Sequence, residues 1–265
     1  MILTIFSIMI KYGTYISSTT LALLNLMMEL IIASMLILSF KPTMSGIKFL
    51  ASDARKKVNK KEIISIIVFK GLITIGGEKL LLDILYILDE NFVNEFISDI
   101  IVKINGTVDY VIISIVLCIL CPTIEELIFR NIIFKRIAKR SANAYLGILI
   151  SSIIFAAMNI GNGIIGALIF GVTNCIIYIK YKNIFVPILI NLSYNILTSI
   201  LLIPAVSENM SNLFVTTNNL LESLCSGGLM LLIGVILFIK FFIKNKNYAY
   251  DYNEELKNNL EIYEI

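Results

Sequence analysis

The chain has 265 residues, 58% of them hydrophobic and 15% charged, with a net charge of +3 and a mean hydropathy of +0.88. That is too apolar for a soluble domain of this length, and the few cations fall in short patches with no continuous basic face, so nucleic acid is excluded as a partner. The sequence contains no histidine, which removes Ser-His and Cys-His nucleophilic pairs, HExxH zinc sites and imidazole proton relays from consideration.

The composition predicts an all-α, polytopic transmembrane helical bundle. Residues 1-19 hold an apolar run broken by Lys11, without a basic leader or a small-residue cleavage site, and read as a first or partial membrane helix rather than a removable signal. Apolar runs of spanning length or nearly so follow at 21-40, 63-88, 108-130, 143-159, 163-180, 184-203 and 223-243. Seven or eight membrane helices are expected. Cys118, Cys121, Cys175 and Cys225 lie in these apolar runs and read as packing residues, so no disulfide framework, metal or cofactor is expected.

Loop charges orient the spans. Segment 41-61 carries Lys41, Lys48, Arg55, Lys56, Lys57, Lys60 and Lys61, and segment 135-140 carries Lys135, Arg136, Lys139 and Arg140, which assigns both to the cytoplasm. Segment 204-222 has no Lys or Arg and 89-99 is acidic, which assigns both to the opposite side; Lys180, Lys182, Lys244 and Lys246 then fall inside. The polar tail from Asn245 is expected to lie in the cytoplasm as a frayed or interfacial helix. The richness in Ile, Asn and Lys fits an AT-rich genome, and the expected location is a prokaryotic cell membrane with lipid as its surroundings.

Within this apolar background "PTIEELIFR", residues 122-130, places Glu125, Glu126 and Arg130 inside a membrane run. An intramembrane carboxylate is costly unless it is paired or meets water, so it marks a functional candidate. Glu126 and Arg130 are four apart and share a helix face, whereas Glu125 points about 100° away. This spacing predicts a structural ion pair at Glu126 and Arg130 and leaves Glu125 to face a cavity. Pro122 suits the first turn of a helix, where its missing N–H costs nothing.

Two further stretches add polar residues: "SSIIFAAMNIGNG" at 151-163, with Asn159 four after Phe155, and "VPILINLSYNILT" at 186-198, with Asn191 and Asn195 four apart. The order EExxxR, SSxxFAxxx with its polar residue, a Gly-containing helix, then a polar-xxx-Asn pair resembles the CAAX protease and bacteriocin-processing (Abi) family of intramembrane glutamate-dependent endopeptidases. The resemblance spans roughly residues 108-200. It implies that Glu125 activates the attacking water, that Asn159 stands where the family has a water-holding histidine, and that Asn191 and Asn195 stand where a histidine and an asparagine stabilise the oxyanion.

Peptide hydrolysis needs a base, donors for the oxyanion and an acid for the leaving amine. Glu125 could serve as base and then return its proton; the Asn191 and Asn195 amides could donate; Asn159 can orient water but cannot shuttle a proton. Three readings stay open: an endopeptidase, weakened or not, acting on a peptide or membrane-protein substrate; a catalytically silent relative binding a peptide or membrane partner in immunity or signalling; and a small transporter. The expected division is 1-107 as N-terminal membrane helices with the basic loop 41-61, 108-203 as the protease-like core, and 204-265 as outer loop, last membrane helix and tail. Straight rods would keep Asn159, near the outer end of its helix, from meeting Asn191, about two turns from the inner end of its own. The conflict relaxes if 131-142 lies along the cytoplasmic interface.

Overall fold

A computed structural model of the protein describes residues 18-91, 107-159, 163-207 and 220-261. Among the described residues there are eight helices: α1 Ser18–Phe40, α2 Met44–Lys57, α3 Lys60–Leu88, α4 from Thr107 to Ser141, α5 Ala144–Met158, α6 Ile164–Tyr181, α7 Phe185–Ser207 and α8 Leu220–Glu261. The helix expected in 1-19 lies almost wholly outside them, as do most of the acidic segment 89-99 and of the outer loop 204-222.

Burial is inverted relative to a water-soluble bundle. Leu38, Leu88 and Leu221 are 73%, 75% and 76% exposed, while Glu126, Arg130, Ser151, Ser152, Thr173 and Asn174 are each 0% exposed. Such a surface is stable only against lipid, and the polar groups must find partners inside. Each of the seven apolar runs becomes one helix. Among the described residues, four stretches are long and apolar enough to cross a membrane, Ala22–Phe40, Tyr110–Ser141, Ile164–Tyr181 and Leu220–Asn258, and two shorter apolar helices are Ala144–Met158 and Phe185–Ile200. The protein is an all-α membrane bundle.

The longest seam joins α3 to α8, where backbones approach closely: a Cβ on Gly76 would lie 2.6 Å from the Leu231 backbone nitrogen and 2.7 Å from the Gly227 carbonyl. Small residues at such a crossing let dispersion contacts between helices replace a hydrophobic drive that lipid does not supply. Phe69 fills the same seam, its ring centroid 5.9 Å from Phe238 and 5.7 Å from Phe241. Helix α6 runs through the centre, with Phe170, Thr173, Asn174, Cys175, Ile176 and Ile177 buried between α3, α5, α7 and α8.

Three expectations change. Residues 41-61 contain the helix α2 and are not an open loop: Thr43 Oγ1 accepts from the Gly46 N–H, and Arg55, Lys56 and Lys57 in the last turn oppose the negative end of the helix dipole. The tail from Asn245, expected as a frayed or interfacial helix, is helical as far as Glu261 and does not stand apart from the last membrane helix. It continues α8 and buries Asn245, Ala249, Asn253 and Leu256, which recur along one face. Residues 131-141 do not start a new element; they extend α4 beyond Arg130.

Helix α4 is itself unusual. It is α-helical over Thr107–Ile115, π-helical over Val116–Leu120, α-helical over Cys121–Glu126, π-helical over Leu127–Phe134 and α-helical again over Lys135–Ser141. Pro122 therefore sits inside a continuous helix, at the start of its α segment, directly after a π turn. A proline cannot donate to the preceding turn and its ring crowds the carbonyl there, and a widened turn relieves both.

The basic segments meet at one end of the bundle. Asn183 Nδ2 donates to the Leu50 carbonyl and to Asp53 Oδ2, both at 2.9 Å. Lys180 Nζ reaches Glu62 Oε1 at 2.6 Å and Asn245 Oδ1 at 2.9 Å, Tyr181 donates its hydroxyl to Glu62 Oε2 at 2.7 Å, and Asn253 Oδ1 accepts from the Ala144 N–H at 2.9 Å. The result ties α2, α3, α5, α6 and α8 together at that end.

Candidate active site

The site forms where the middle of α4 crosses α6 and α7. Glu126 and Arg130, one turn apart, are fully buried, with Arg130 Nε 2.9 Å from Glu126 Oε2. An isolated buried carboxylate would be prohibitive, so the pair neutralises itself and recruits more donors. Asn174 Nδ2 of α6 donates to Glu126 Oε1 at 2.8 Å, and Asn191 Nδ2 of α7 donates to the same oxygen at 3.1 Å. The Arg130 guanidinium lies 4.8 Å from the Phe155 ring centroid, and Phe155 packs edge-on against Phe129 at 5.0 Å. Ser151 Oγ donates to the Phe129 carbonyl at 2.9 Å, which pins the second π segment to α5.

Glu125 is treated differently. It is only partly buried, and one of its oxygens, Oε2, accepts from Asn191 Nδ2 at 3.0 Å. Asn191, although only two turns into α7, therefore reaches both carboxylates. Its amide nitrogen is taken up by them, which is not the oxyanion-donor role that the resemblance implies for this position.

The other two asparagines are not drawn into that knot. Asn159 caps the C-terminal end of α5, half-buried, with Nδ2 donating to the Phe155 carbonyl at 3.0 Å, so it stands one turn beyond the ring that lies on Arg130. Asn195 is half-buried one turn past Asn191. Its backbone carbonyl accepts from Thr198 Oγ1 at 3.0 Å, and its side-chain amide has no hydrogen-bond partner among the described residues. Cys118 and Cys121 stand three apart, a CxxC spacing, but both thiols are free: Cys118 Sγ lies 3.1 Å from Ser199 Oγ and Cys121 Sγ 3.3 Å from Glu29 Oε1.

Two residues escaped the sequence reading. Asn174, in the α6 stretch "GVTNCII", completes the shell of Glu126. Lys70, in "IIVFKGLI" of α3, is 8% exposed, with its ammonium 3.4 Å from the Phe170 ring centroid and 3.7 Å from that of Tyr194. A lone lysine in an apolar run deserved the same scrutiny as the glutamate pair.

The membrane bundle thus buries a Glu-Arg pair and leaves a second glutamate at the edge of the same polar cluster. Residues 107-197, about a third of the chain, match the family model of Rce1-like proteins, described as type II CAAX prenyl endopeptidase Rce1-like. The family recognised from the order of motifs is thus the family that the comparison finds, over nearly the same residues. No curated protein and no solved structure matches the chain.

Proposed function

We propose that the protein is an intramembrane endopeptidase in which Glu125 activates water for peptide-bond hydrolysis. The observation that carries this reading is the unequal treatment of two adjacent carboxylates. Glu126 is fully buried and surrounded by Arg130, Asn174 and Asn191, whereas Glu125 is anchored through one oxygen by Asn191 and keeps the other for a reactant.

In the reaction, Glu125 takes a proton from water as the water oxygen adds to the scissile carbonyl carbon and the C=O electron pair moves onto oxygen. The tetrahedral intermediate collapses with cleavage of the C–N bond, and the proton held by Glu125 passes to the departing nitrogen. The substrate is a peptide or membrane protein reaching the bundle through lipid. The basic end, where α2, the end of α4 and the tail of α8 meet, faces the cytoplasm.

The test is cleavage of hydrophobic membrane peptides by purified protein, wild type beside Glu125→Gln. Cleavage by the wild type and loss of at least about a hundredfold in the variant is expected, the scale of losing a general base. Equal rates would remove Glu125 from the chemistry, and no cleavage by either would leave the binding-protein reading, which the commitment of the Asn191 amide to the two carboxylates favours.

A further inference from the structure

Lys70 lies outside the residues that match the family model, on α3, and its surroundings are built from the helices of the site. Phe170 is one turn before Asn174 on α6, and Tyr194 is one turn after Asn191 on α7; the Lys70 ammonium sits against both rings. Helix α6 runs toward the basic end and α7 away from it, so both offsets displace Lys70 in the same direction, one turn farther from the basic end than the amides that hold the glutamates. From there it interacts electrostatically with Glu125, Glu126 and Arg130. It forms no hydrogen bond or ion pair with either carboxylate among the described residues.

Ring faces attract a cation but accept no hydrogen bond in the way an oxygen does, so the three N–H donors of this largely buried lysine have no acceptor among the described residues. A base, Glu125, and a cationic side chain, Lys70, thus belong to one polar cluster without being bonded to each other, and these are the two kinds of group that a scissile carbonyl requires.

We propose that Lys70 is a catalytic residue that receives the carbonyl oxygen of the substrate and holds the oxyanion, a task for which the chain has no histidine and for which Asn191 is already engaged. This rests on the endopeptidase reading. As the hydroxyl from water adds and the C=O electrons move onto oxygen, the ammonium donates a hydrogen bond to the new oxyanion and keeps its own proton. Glu125 alone carries the transferred proton from water to the leaving nitrogen.

The test measures binding as well as turnover, on the full-length protein in lipid nanodiscs. The probes are the peptide acetyl-Leu-Leu-Ala-Leu-amide and its analogue with an anionic phosphinate in place of the central peptide bond. The wild type is expected to bind the phosphinate at least about a hundredfold more tightly than the parent peptide, as transition-state mimics do. Lys70→Met should lose most of that preference, Lys70→Arg should keep part of it, and Glu125→Gln should keep it. Should Lys70→Met fold poorly, Lys70→Leu with the same two probes decides. A wild type without preference for the phosphinate, or a preference that survives in Lys70→Met or Lys70→Leu, overturns the proposal. If the preference depends on Lys70 while wild type and Glu125→Gln show no cleavage, the oxyanion site stands and the endopeptidase reading falls.

Discussion

Glu125 and Glu126 share a single donor: the Nδ2 of Asn191 lies 3.0 Å from Glu125 Oε2 and 3.1 Å from Glu126 Oε1. Neighbouring residues on a helix ordinarily point about 100° apart, so one amide serving both requires a second helix to enter the angle between them. Helix α7 does so at Asn191. Asn191→Leu should therefore lower both folded yield and Glu125-dependent cleavage, whereas Asn195→Leu, whose amide has no partner among the described residues, should leave yield near wild type. Size-exclusion profiles and cleavage assays on the two variants separate these outcomes.

The two carboxylates should also separate by mutation. Glu126→Gln or Arg130→Ala strands a buried charge, a loss of roughly 3–5 kcal/mol, and should sharply reduce the amount of monodisperse protein recovered. Glu125→Gln keeps the hydrogen bond from Asn191 and should fold like the wild type. A variant at Glu125 that failed to fold, beside a well-behaved Glu126→Gln, would reverse the roles given to the two.

The α3–α8 seam makes a sharper test of packing. Gly76→Leu has no room against the backbone of Leu231 and Gly227, whereas a Cβ on Gly77 meets nothing within 4 Å. Gly76→Leu should collapse thermal stability in detergent. Gly77→Ala should leave it unchanged or raise it by up to about 1 kcal/mol, the usual gain of alanine over glycine in a helix.

At the basic end, hydrogen bonds from Lys57 and Asn183 hold the Asp53 carboxyl below its ordinary titration range. Asp53 then binds fewer protons folded than unfolded, so its contribution to stability is present above the unfolded titration point and is lost as the pH falls through the lower, folded one. Asp53→Asn should melt earlier than wild type at neutral pH, and the gap between their melting temperatures should close in acid. A gap that widened as the pH fell would contradict the assignment.

The tail makes its own prediction. Asn253 Oδ1 caps the buried first N–H of α5, and Ala→Asn differences at such positions run to about 1 kcal/mol. Asn253→Ala, or truncation after Lys246, should increase hydrogen exchange over residues 144-147 while exchange in the middle of α3 stays slow.

What could be read in the sequence divides along the range of the interactions. The adjacency of Glu126 and Arg130 follows from four-residue spacing on one helix, and the seven apolar runs follow from the need to satisfy backbone groups in lipid. Asn174 and Lys70 were invisible because their meaning depends on which helices become neighbours, and periodicity within α6 or α3 carries no information about that. The helix at 44-57 was obscured by its lysines, which read as loop charge although Thr43 and the cationic last turn are helix signals. The tail of α8 looked solvated because Asn245 and Asn253 are polar, yet each is spent on a partner from another helix.

The two π segments of α4 give the helix a property that matters for how such a chain can vary in length. A π turn holds one residue more than the α turn it replaces, so it stores an inserted residue without breaking the rod. Removing one residue between Asn131 and Phe134, past Arg130, could be absorbed by tightening that turn to α-helical pitch, leaving "CPTIEE", Arg130 and "KRIAKR" on their present faces. The same deletion within Cys121–Glu126 has no slack to draw on and would rotate one glutamate out of register with α7. Length changes in α4 should thus be tolerated on the basic side of the glutamates and nowhere within the motif itself.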